Sequence, residues 1–451
     1  MNKKRAIAIL LVVIGCVLIV SFGKKAEKNE SVVILDSNKE KVAVVKYEHG
    51  DVIFDCEDYL WSYVDYTCRE AMDVLEKSLT SDDKIKEFVN SSIVIETSLD
   101  SDAMKAMNEA CESNIYNIAD NKFASMLTDV NGHVKACISI SPEADGMNYV
   151  NVPTYAGSTI KPISVYGPLV EEKKICWSTM YQDTPYKEVV DEFGNIVPWP
   201  TNTEPYSGKD VSVFEAISKS NNAIAVKALD TLGIPKSLEY VSSRFGIDVS
   251  KEKELFDNEG KERVLSNLAF GYLDHGVTVN KMTECYQVFA NGGVMYPLHS
   301  ILKITDEKGK EIYSAEDKST RVFSEETAYI MNKMLHGVVS DFGTGRSAMT
   351  DGIDICGKTG TSDDFKDNWF IGMTPEYVCS VWYDGRNSSV EINSSAQIFK
   401  DIISNIDIDS SKEFPVADNV KEYNYDYETG AIVEDKSDNA LTGYYYDVLP
   451  E

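Results

Sequence analysis

Positive charge is scarce in this chain of 451 residues. It has 44 lysines and arginines against 73 aspartates and glutamates, so its formal net charge is −29 at pH 7. A surface of that sign repels polyanions, which argues against nucleic acid and anionic membrane surfaces as partners. Hydrophobic residues make up 43% of the chain, which is enough for a large core and excludes general disorder.

Closely spaced cysteines and histidines are also missing. The nine cysteines include no Cys-x-x-Cys pair and form no even framework of the kind found in disulfide-rich domains. Cys56 and Cys68 could form a disulfide, but most cysteines stand in apolar sequence, where a thiol acts as a small hydrophobic group. The five histidines show no metal-ligand spacing, so we predict no metal ion and no cofactor.

One long hydrophobic run is present, near the N-terminus. Residues 6–22 are apolar and lie between the basic stretches Lys3–Arg5 and Lys24–Lys25. A helix of that length is about 25 Å long, at the short end of a membrane span. We predict that residues 1–25 hold a cytoplasmic tip and a single-pass membrane anchor, with the rest of the chain outside the cell membrane. A cleaved signal peptide and lipoprotein processing at Cys16 are the alternatives.

The length and the hydrophobic pattern predict more than one unit. Residues 26–90 begin polar and become acidic and aromatic, and we predict a helical stalk or pedestal of unknown role. Residues 91–405 have the mixed pattern of an α/β domain. Residues 406–451 are acidic and rich in tyrosine, and we expect a peripheral or partly disordered extension.

Short local signals predict elements within the α/β domain. Ile93–Ile95 is typical of a strand, and apolar runs on both sides of Asp129–Gly132 predict a hairpin. Asp100, Ser212 and Ser324 each stand where a helix N-cap is expected.

The first string that suggests chemistry is Ser158-Thr159-Ile160-Lys161. Residues three apart share a face of a helix, so Ser158 and Lys161 can touch if a helix begins near Ser158. Pro162 fits that position, because proline is tolerated only near a helix start. Backbone N–H groups at such a start could stabilise an oxyanion. Ser81 has the same spacing to a lysine in a solvated context, so the spacing alone decides little.

The second string, Ser220-Asn221-Asn222, follows a helix break. One of these polar residues could simply cap the helix predicted from Ala223 to Leu229, but three in a row exceed that need. A hydroxyl at Ser220 could relay a proton, and the Asn222 amide could hold a substrate carbonyl.

The third string is Lys358-Thr359-Gly360, inside a predicted strand that ends at Thr361. Glycines flank the Lys-Thr pair, and glycine weakens a strand unless something must approach its backbone closely, for which a bound peptide is a reason. The Lys358 ammonium and the hydroxyls of Thr359 and Thr361 could form a carboxylate site, and the Thr361 N–H could complete an oxyanion hole. A lysine that protects an edge strand from aggregation is the alternative.

Together the three strings resemble the motif set of the transpeptidase domain of penicillin-binding proteins, most of all their bifunctional class A branch. The resemblance covers about residues 93–434. It implies an α/β fold with an antiparallel sheet flanked by helices and a helical subdomain, behind an N-terminal transmembrane helix. Further stretches similar to the family pattern are Gly276–Val279, Val288–Gly293, Gly343–Arg346, Gly357–Thr361 with Asn368–Phe370, and Phe414–Pro415 with Tyr427–Gly430.

The resemblance implies a peptidoglycan D,D-transpeptidase that cross-links stem peptides. Ser158 would attack the D-Ala-D-Ala carbonyl and form an acyl-enzyme, with Lys161 as general base. Ser220 would shuttle the proton to the leaving amine, and Asn222 would orient the donor peptide. An amine on a second stem would be the acceptor, and β-lactams would be covalent inhibitors. The residues implied in binding the terminal carboxylate are Lys358, Thr359, Gly360 and Thr361.

The sequence departs from the class A pattern in one respect. Residues 26–90 are too short for a glycosyltransferase domain, so we expect a separate glycosyltransferase as partner. The region from Gln182 to Lys209 matches the family pattern only loosely. A D,D-carboxypeptidase or a β-lactamase would use the same acylation, and a β-lactam sensor or cell-wall scaffold would keep the fold without catalysis. These alternatives stay open at this point.

Overall fold

The structure is a computed structural model that describes most of the chain. The residues described are 31–76, 78, 83–113, 118–143, 145–258, 260–362, 366–385, 394–434 and 439–447. The predicted membrane anchor and Cys16 lie outside these residues. In the described part, no helix is both long enough and apolar enough to cross a membrane.

Strands occur along the whole described chain. They are β1 (Ser31–Leu35), β2 (Lys41–Glu48), β3 (Asp51–Asp55), β4 (Ile93–Thr97), β5 (Phe123–Asp129), β6 (Val134–Ile140), β7 (Met180–Gln182), β8 (Lys187–Val190), β9 (Ile196–Trp199), β10 (Asp210–Ser212), β11 (Val294–Met295), β12 (Ile301–Asp306), β13 (Glu311–Ser314), β14 (Thr320–Arg321), β15 (Cys356–Thr361), β16 (Asp367–Met373), β17 (Tyr377–Asp384), β18 (Val420–Asp426), β19 (Ile432–Val433) and β20 (Ala440–Tyr446).

Helices alternate with these strands. They are α1 (Trp61–Val74), α2 (Lys84–Val89), α3 (Ser101–Glu112), α4 (Gly167–Glu171), α5 (Val213–Ser218), α6 (Asn222–Leu232), α7 (Ile234–Glu239), α8 (Ser250–Asp257), α9 (Lys261–Phe270), α10 (Val279–Ala290), α11 (Glu325–Val338) and α12 (Ser394–Ser404). Shorter helical turns are Asp58–Leu60, Ile118–Asp120, Tyr149–Asn151, Gly157–Ile160, Pro162–Tyr166, Tyr240–Arg244 and Arg346–Ala348.

A five-stranded antiparallel sheet is the centre of the fold. Its order is β15-β16-β17-β5-β6, and every residue of β16 is buried. Helix α10 packs on β5 and β17, α12 packs on β16 and β17, and α11 packs on β15. Helices α6, α7, α8 and α9 pack on one another beside this sheet. The predicted antiparallel sheet with flanking helices and a helical part is therefore confirmed.

The local sequence signals are confirmed where the structure describes them. β5 and β6 form the predicted hairpin around Asp129–Gly132. The Asp100 carboxylate accepts hydrogen bonds from the first N–H groups of α3, and the Ser212 and Ser324 hydroxyls cap α5 and α11. Such caps depend on a few neighbouring residues, which is why the sequence predicts them well.

The segment before residue 91 differs from the helical stalk or pedestal that we predict. Its strands β1, β2 and β3 join β4, β12 and β13 in one six-stranded sheet, in the order β13-β12-β4-β1-β2-β3. β1 runs parallel to β4, with Val33 opposite Val94. The physical reason is that alternate apolar side chains of these strands enter the core, namely Val32 and Ile34 of β1 and Ala43 and Val45 of β2. The described residues before 91 thus share a core with the rest of the domain.

The described residues of the C-terminal segment are folded, so of the two expectations, a peripheral or a partly disordered extension, the second is wrong for them. β18, β19 and β20 form a three-stranded sheet that packs on α11. Tyr425 and Tyr445 are each 1% exposed, and the Tyr444 ring lies against Trp177. The tyrosines that enrich this segment are therefore packing residues, since large aromatic rings bury much apolar area.

The cysteines of the described residues are all free thiols, including Cys56 and Cys68. The disulfide considered for this pair is therefore not formed in the structure. Most of these thiols are buried, as expected of cysteines in apolar sequence.

Candidate active site

The turn that carries Ser158 is short and tightly held. A 3-10 helix spans Gly157–Ile160 and continues through Lys161 into the wider turn Pro162–Tyr166. Side chains three residues apart eclipse in a 3-10 helix, so Ser158 and Lys161 extend from the same face. Ser158 is half-buried, whereas Lys161 is completely buried. The helix start predicted near Ser158 is confirmed.

Two glycines, Gly157 and Gly360, allow this turn to pack closely against strand β15. Gly157 has φ of +55°, and a Cβ atom there would lie 2.7 Å from the amide nitrogen of Thr361. A Cβ atom on Gly360 would lie 2.7 Å from the carbonyl oxygen of Ala156. The close approach that the strand glycine allows is thus that of the Ser158 turn itself. The prediction that a bound peptide makes this close approach is therefore wrong for Gly360.

Two buried donors fix the backbone on both sides of Ser158. The Tyr286 hydroxyl of α10 donates to the carbonyl oxygen of Thr159 over 2.7 Å. The Trp369 indole N–H of β16 donates to the carbonyl oxygen of Tyr155 over 2.8 Å. These residues support the serine from the central sheet and its main covering helix. The sequence gives no sign of the Tyr286 contact, since the partners are far apart along the chain.

The second string forms the junction between α5 and α6. Ser220 has φ of +56°, a left-handed conformation that is uncommon for residues other than glycine. The Asn221 side chain caps α6 by accepting from the amide of Ile224 over 2.9 Å. The simple capping explanation therefore accounts for Asn221 and leaves Ser220 and Asn222 for other contacts. Strained residues of this kind often cluster at functional sites.

The loosely matched region before α5 supports this junction. The Asn202 side-chain oxygen accepts from the amides of Asn222 and Ala223 over 2.9 and 3.0 Å. The Asp183 carboxylate accepts hydrogen bonds from two side-chain amides, that of Asn221 over 2.8 Å and that of Asn202 over 3.2 Å. Asp183 and Asn202 were not identified from the sequence, because nothing in their neighbourhood points to the junction they hold.

The Lys161 side chain contacts residues of the second string. Its Nζ atom is 2.7 Å from the Asn222 side-chain oxygen and 2.8 Å from the Ser220 carbonyl oxygen. It also lies 3.4 Å from the Ser220 hydroxyl oxygen. The other end of the Asn222 amide donates to the carbonyl of Thr201 over 2.8 Å. In this state Asn222 positions Lys161, and both ends of its amide are engaged.

The third string reaches the same hydroxyl from the other side. Lys358 Nζ donates to the Ser220 hydroxyl oxygen over 2.9 Å and to the Thr359 carbonyl oxygen over 3.0 Å. Ser220 is thus a shared partner of both lysines. Neither lysine is paired with a carboxylate in the part of the chain that the structure describes.

Both lysines are fully buried, and their burial determines the electrostatics of the site. The pKa of Lys161 lies well below its usual value. Burial is the larger cause, and the charge of Lys358 is the second. Burial lowers the pKa of Lys358 to about 7. Near neutral pH the site can therefore contain one neutral amine, Lys161, and one ammonium ion, Lys358. That combination suits a general base next to an anion-binding group.

Thr344 ties the third string to the second. Its hydroxyl lies 2.6 Å from the Thr359 hydroxyl, and its amide donates to the carbonyl of Ser218 over 3.1 Å. Thr344 belongs to the Gly343–Arg346 stretch, which is similar to the family pattern and for which the sequence predicts no role. In the structure this stretch connects β15 with the C-terminal end of α5.

The arrangement matches a known family over most of the domain. Residues 122–404 match the family model described as penicillin binding protein transpeptidase domain. The chain belongs to that family. Residues from all three strings of the transpeptidase domain, Lys161, Ser220, Asn222 and Lys358, are in direct contact, as the resemblance predicts. The catalytic and binding roles of individual residues stay predictions.

Curated relatives are longer than this chain. Penicillin-binding protein 1A of Clostridium botulinum is 32% identical over 284 residues, which cover 60% of this chain and 33% of that protein. Penicillin-binding protein 1F of Bacillus subtilis is 30% identical over 378 residues, 80% of this chain and 49% of that protein. The chain thus spans about a third to a half of the length of these relatives.

A solved structure shows the same fold. The crystal structure of the D,D-transpeptidase domain of a peptidoglycan glycosyltransferase from Eggerthella lenta superposes with a TM-score of 0.64 at 18% identity. The match covers 83% of this chain and 97% of that one. At this identity the likeness concerns the penicillin-binding transpeptidase fold and not the substrate.

Proposed function

We propose that this chain is a peptidoglycan D,D-transpeptidase that acts through a Ser158 acyl-enzyme. The observation that supports it most is the state of Lys161. This lysine is buried, has no carboxylate partner among the described residues, and lies on the same helical face as Ser158. A neutral amine in that position can take the serine proton and make the hydroxyl nucleophilic.

Acylation follows from the contacts of the two lysines. Lys161 Nζ accepts the proton of the Ser158 hydroxyl as its oxygen attacks the carbonyl of the penultimate D-Ala. The C–N bond then breaks, and the leaving amine of the terminal D-Ala takes a proton from the Ser220 hydroxyl. Lys161 lies 3.4 Å from that hydroxyl and returns its proton to it. Terminal D-Ala leaves, and the acyl group stays on Ser158.

Substrate binding uses the edge formed by β15. The Lys358 ammonium, with the hydroxyls of Thr359 and Thr361, binds the terminal carboxylate of the stem peptide. The amides of Ser158 and Thr361 form the oxyanion hole, a role supported by the tight contact between Gly157 and Thr361. Losing one such donor typically costs about 10²- to 10³-fold in rate.

The second half of the reaction decides the product. An amine of a neighbouring stem attacks the acyl-enzyme and forms the cross-link, whereas water would make the enzyme a carboxypeptidase or, with β-lactams, a β-lactamase. We propose the amine as acceptor because the chain belongs to the transpeptidase family. We also propose that residues 6–22 anchor the chain, that the domain lies outside the cell membrane, and that a separate glycosyltransferase makes the glycan strands.

Labelling with a fluorescent penicillin tests the acyl-enzyme. We expect a stable covalent adduct on the full chain and none on Ser158→Ala. Ser81→Ala is the matched control, because Ser81 has the same Ser-x-x-Lys spacing. Equal labelling of wild type and Ser158→Ala, or no labelling of either, would refute the proposal, and rapid drug turnover would favour a β-lactamase.

A second assay separates cross-linking from trimming. The enzyme is given a stem pentapeptide with and without an amine acceptor, and the products are analysed by mass spectrometry. We expect a joined product that depends on the acceptor. Release of D-Ala at the same rate, with no joined product, would identify a carboxypeptidase instead.

A further inference from the structure

Three side chains outside the three strings converge in the described part of the chain. They are His133, His299 and Asp317, and their potential ligand atoms all lie within 4.8 Å of one another. His133 comes just before β6, His299 just before β12, and Asp317 between β13 and β14. The prediction of no metal ion rests on local histidine spacing, whereas His133 and His299 are far apart along the chain and meet only in the fold.

Both imidazole rings are oriented by acceptors at Nδ1. His133 Nδ1 lies 2.8 Å from the Asp129 carboxylate, and His299 Nδ1 lies 3.2 Å from the carbonyl oxygen of Pro297. A carbonyl or carboxylate oxygen accepts only, so each Nδ1 carries the proton and each neutral ring has its lone pair at Nε2. Histidines that bind metals are held in this way by carboxylates and backbone carbonyls.

The free nitrogen of His299 is buried and unused. Its Nε2 atom is shielded from solvent and has no hydrogen-bond partner within the part of the chain that the structure describes. The other two groups of the cluster are also close to each other, with His133 Nε2 3.8 Å from the Asp317 carboxylate. Buried polar atoms without partners are rare in folded proteins, and a bound ion or water is one reason for them.

The backbone holds the two histidines together before any ligand arrives. The amide of His299 donates to the carbonyl of Gly132 over 3.0 Å, and the amide of Val134 donates to the carbonyl of His299 over 2.9 Å. The two ring centroids are 4.8 Å apart. These bonds connect the start of β6 in the five-stranded sheet to the start of β12 in the six-stranded sheet.

We propose that His133, His299 and Asp317 bind a divalent transition-metal ion of the Zn²⁺ type that links the two sheets. Two imidazole nitrogens and one carboxylate oxygen are ligands that Zn²⁺ prefers. Tetrahedral Zn²⁺ needs ligand atoms about 3.4 Å apart, so the cluster contracts slightly on binding. A cavity of about 240 Å³ lined by His299 and Asp317 leaves room for water as the fourth ligand.

Cobalt titration of the full chain tests the site. The protein is treated with EDTA, titrated with Co²⁺ and then with competing Zn²⁺, and followed by visible absorption. We expect one equivalent of Co²⁺ with the strong bands of tetrahedral coordination and no thiolate-to-metal band, and displacement by Zn²⁺. Losing a residue that only orients a metal ligand typically weakens metal binding by about 10- to 100-fold, and losing a ligand itself should weaken Co²⁺ binding more than that.

Variants identify the ligands. His299→Ala and Asp317→Ala should lose the bands, whereas His275→Ala should keep them. His275 is the matched control, because it also lies near one carboxylate, Asp248, but belongs to no such cluster. Absence of Co²⁺ binding, a thiolate band, or unchanged binding in Asp317→Ala would overturn the proposal. The Asp317 side chain is 64% exposed, so this variant stays informative even if His299→Ala fails to fold.

Discussion

Substituting Gly157 by alanine tests whether the contact between the Ser158 turn and β15 sets the reaction geometry. Gly157 has φ of +55°, where a residue with a side chain is strained by about 1–2 kcal/mol. The new Cβ atom would also lie 2.7 Å from the Thr361 amide nitrogen and 2.9 Å from its carbonyl oxygen. Both partners are backbone atoms, so the contact cannot be relieved by rotating a side chain.

The size of the effect follows from that distance. Ordinary van der Waals contact begins at 3.4 Å, so the turn and the strand must separate by about 0.7 Å. A displacement of about 1 Å in a reacting group can cost about 100-fold in rate. We therefore expect the rate of acylation by penicillin to fall by about 10- to 100-fold in Gly157→Ala.

Gly309→Ala separates strain from displacement. Gly309 has φ of +79°, but a Cβ atom there meets no atom within 4 Å. Both variants should lose stability in thermal unfolding, and only Gly157→Ala should lose acylation rate in stopped-flow labelling. If the two variants acylate at the same rate, the contact does not position Ser158 and the reasoning is refuted.

Three further predictions concern the support and charge of the site. Tyr286→Phe should lower the free energy of unfolding by about 1–3 kcal/mol in denaturant titrations, because the buried Thr159 carbonyl loses its donor, and an unchanged value would contradict this. Asn202→Ala should slow acylation, since Asn222 loses its backbone anchor, and the exposed Asn195→Ala should not. The acylation rate should rise with pH as Lys161 becomes neutral and fall as pH passes upward through about 7, where Lys358 loses its charge. In Lys358→Arg the alkaline fall should move to higher pH, because arginine keeps its proton.

The central contacts of the site were predictable because each string is local. A spacing of three residues in a helix places Ser158 and Lys161 on one face, and Lys358, Thr359 and Thr361 lie within one short strand. That the strings meet at Ser220 followed only from the resemblance to a family. The physical pattern of the sequence gives no spatial distance between segments as far apart along the chain as Lys161 and Ser220, 59 residues, or Ser220 and Lys358, 138 residues.

The supporting residues could not be found in this way. Asp183, Asn202, Tyr286 and Thr344 each act on a partner that is brought near by the fold. Asp183, Asn202 and Tyr286 have no unusual neighbourhood in the sequence, since an isolated polar residue in a loop or a tyrosine in a helix is common. Thr344 lies in the Gly343–Arg346 stretch, but its contact with Thr359 cannot be read from that stretch. The same holds for His133 and His299, which only the pairing of two sheets brings together.

The N-terminal strands were missed for a different reason. β1 and β2 are short apolar runs without polar/apolar alternation, and such runs do not by themselves distinguish a strand from a helix. The helix caps at Asp100, Ser212 and Ser324 were predicted correctly because hydrogen bonds within one turn decide them. Pairing of β1 with β4 spans about sixty residues and has no comparable local signal.

The position of β1 has a practical consequence for shortened versions of the chain. β1 lies between β2 and β4, in the interior of the six-stranded sheet. A truncation that starts at residue 91 would remove three strands and leave β4 with an open edge, which invites aggregation. A version intended for crystallisation or inhibitor screening therefore has to begin upstream of Ser31.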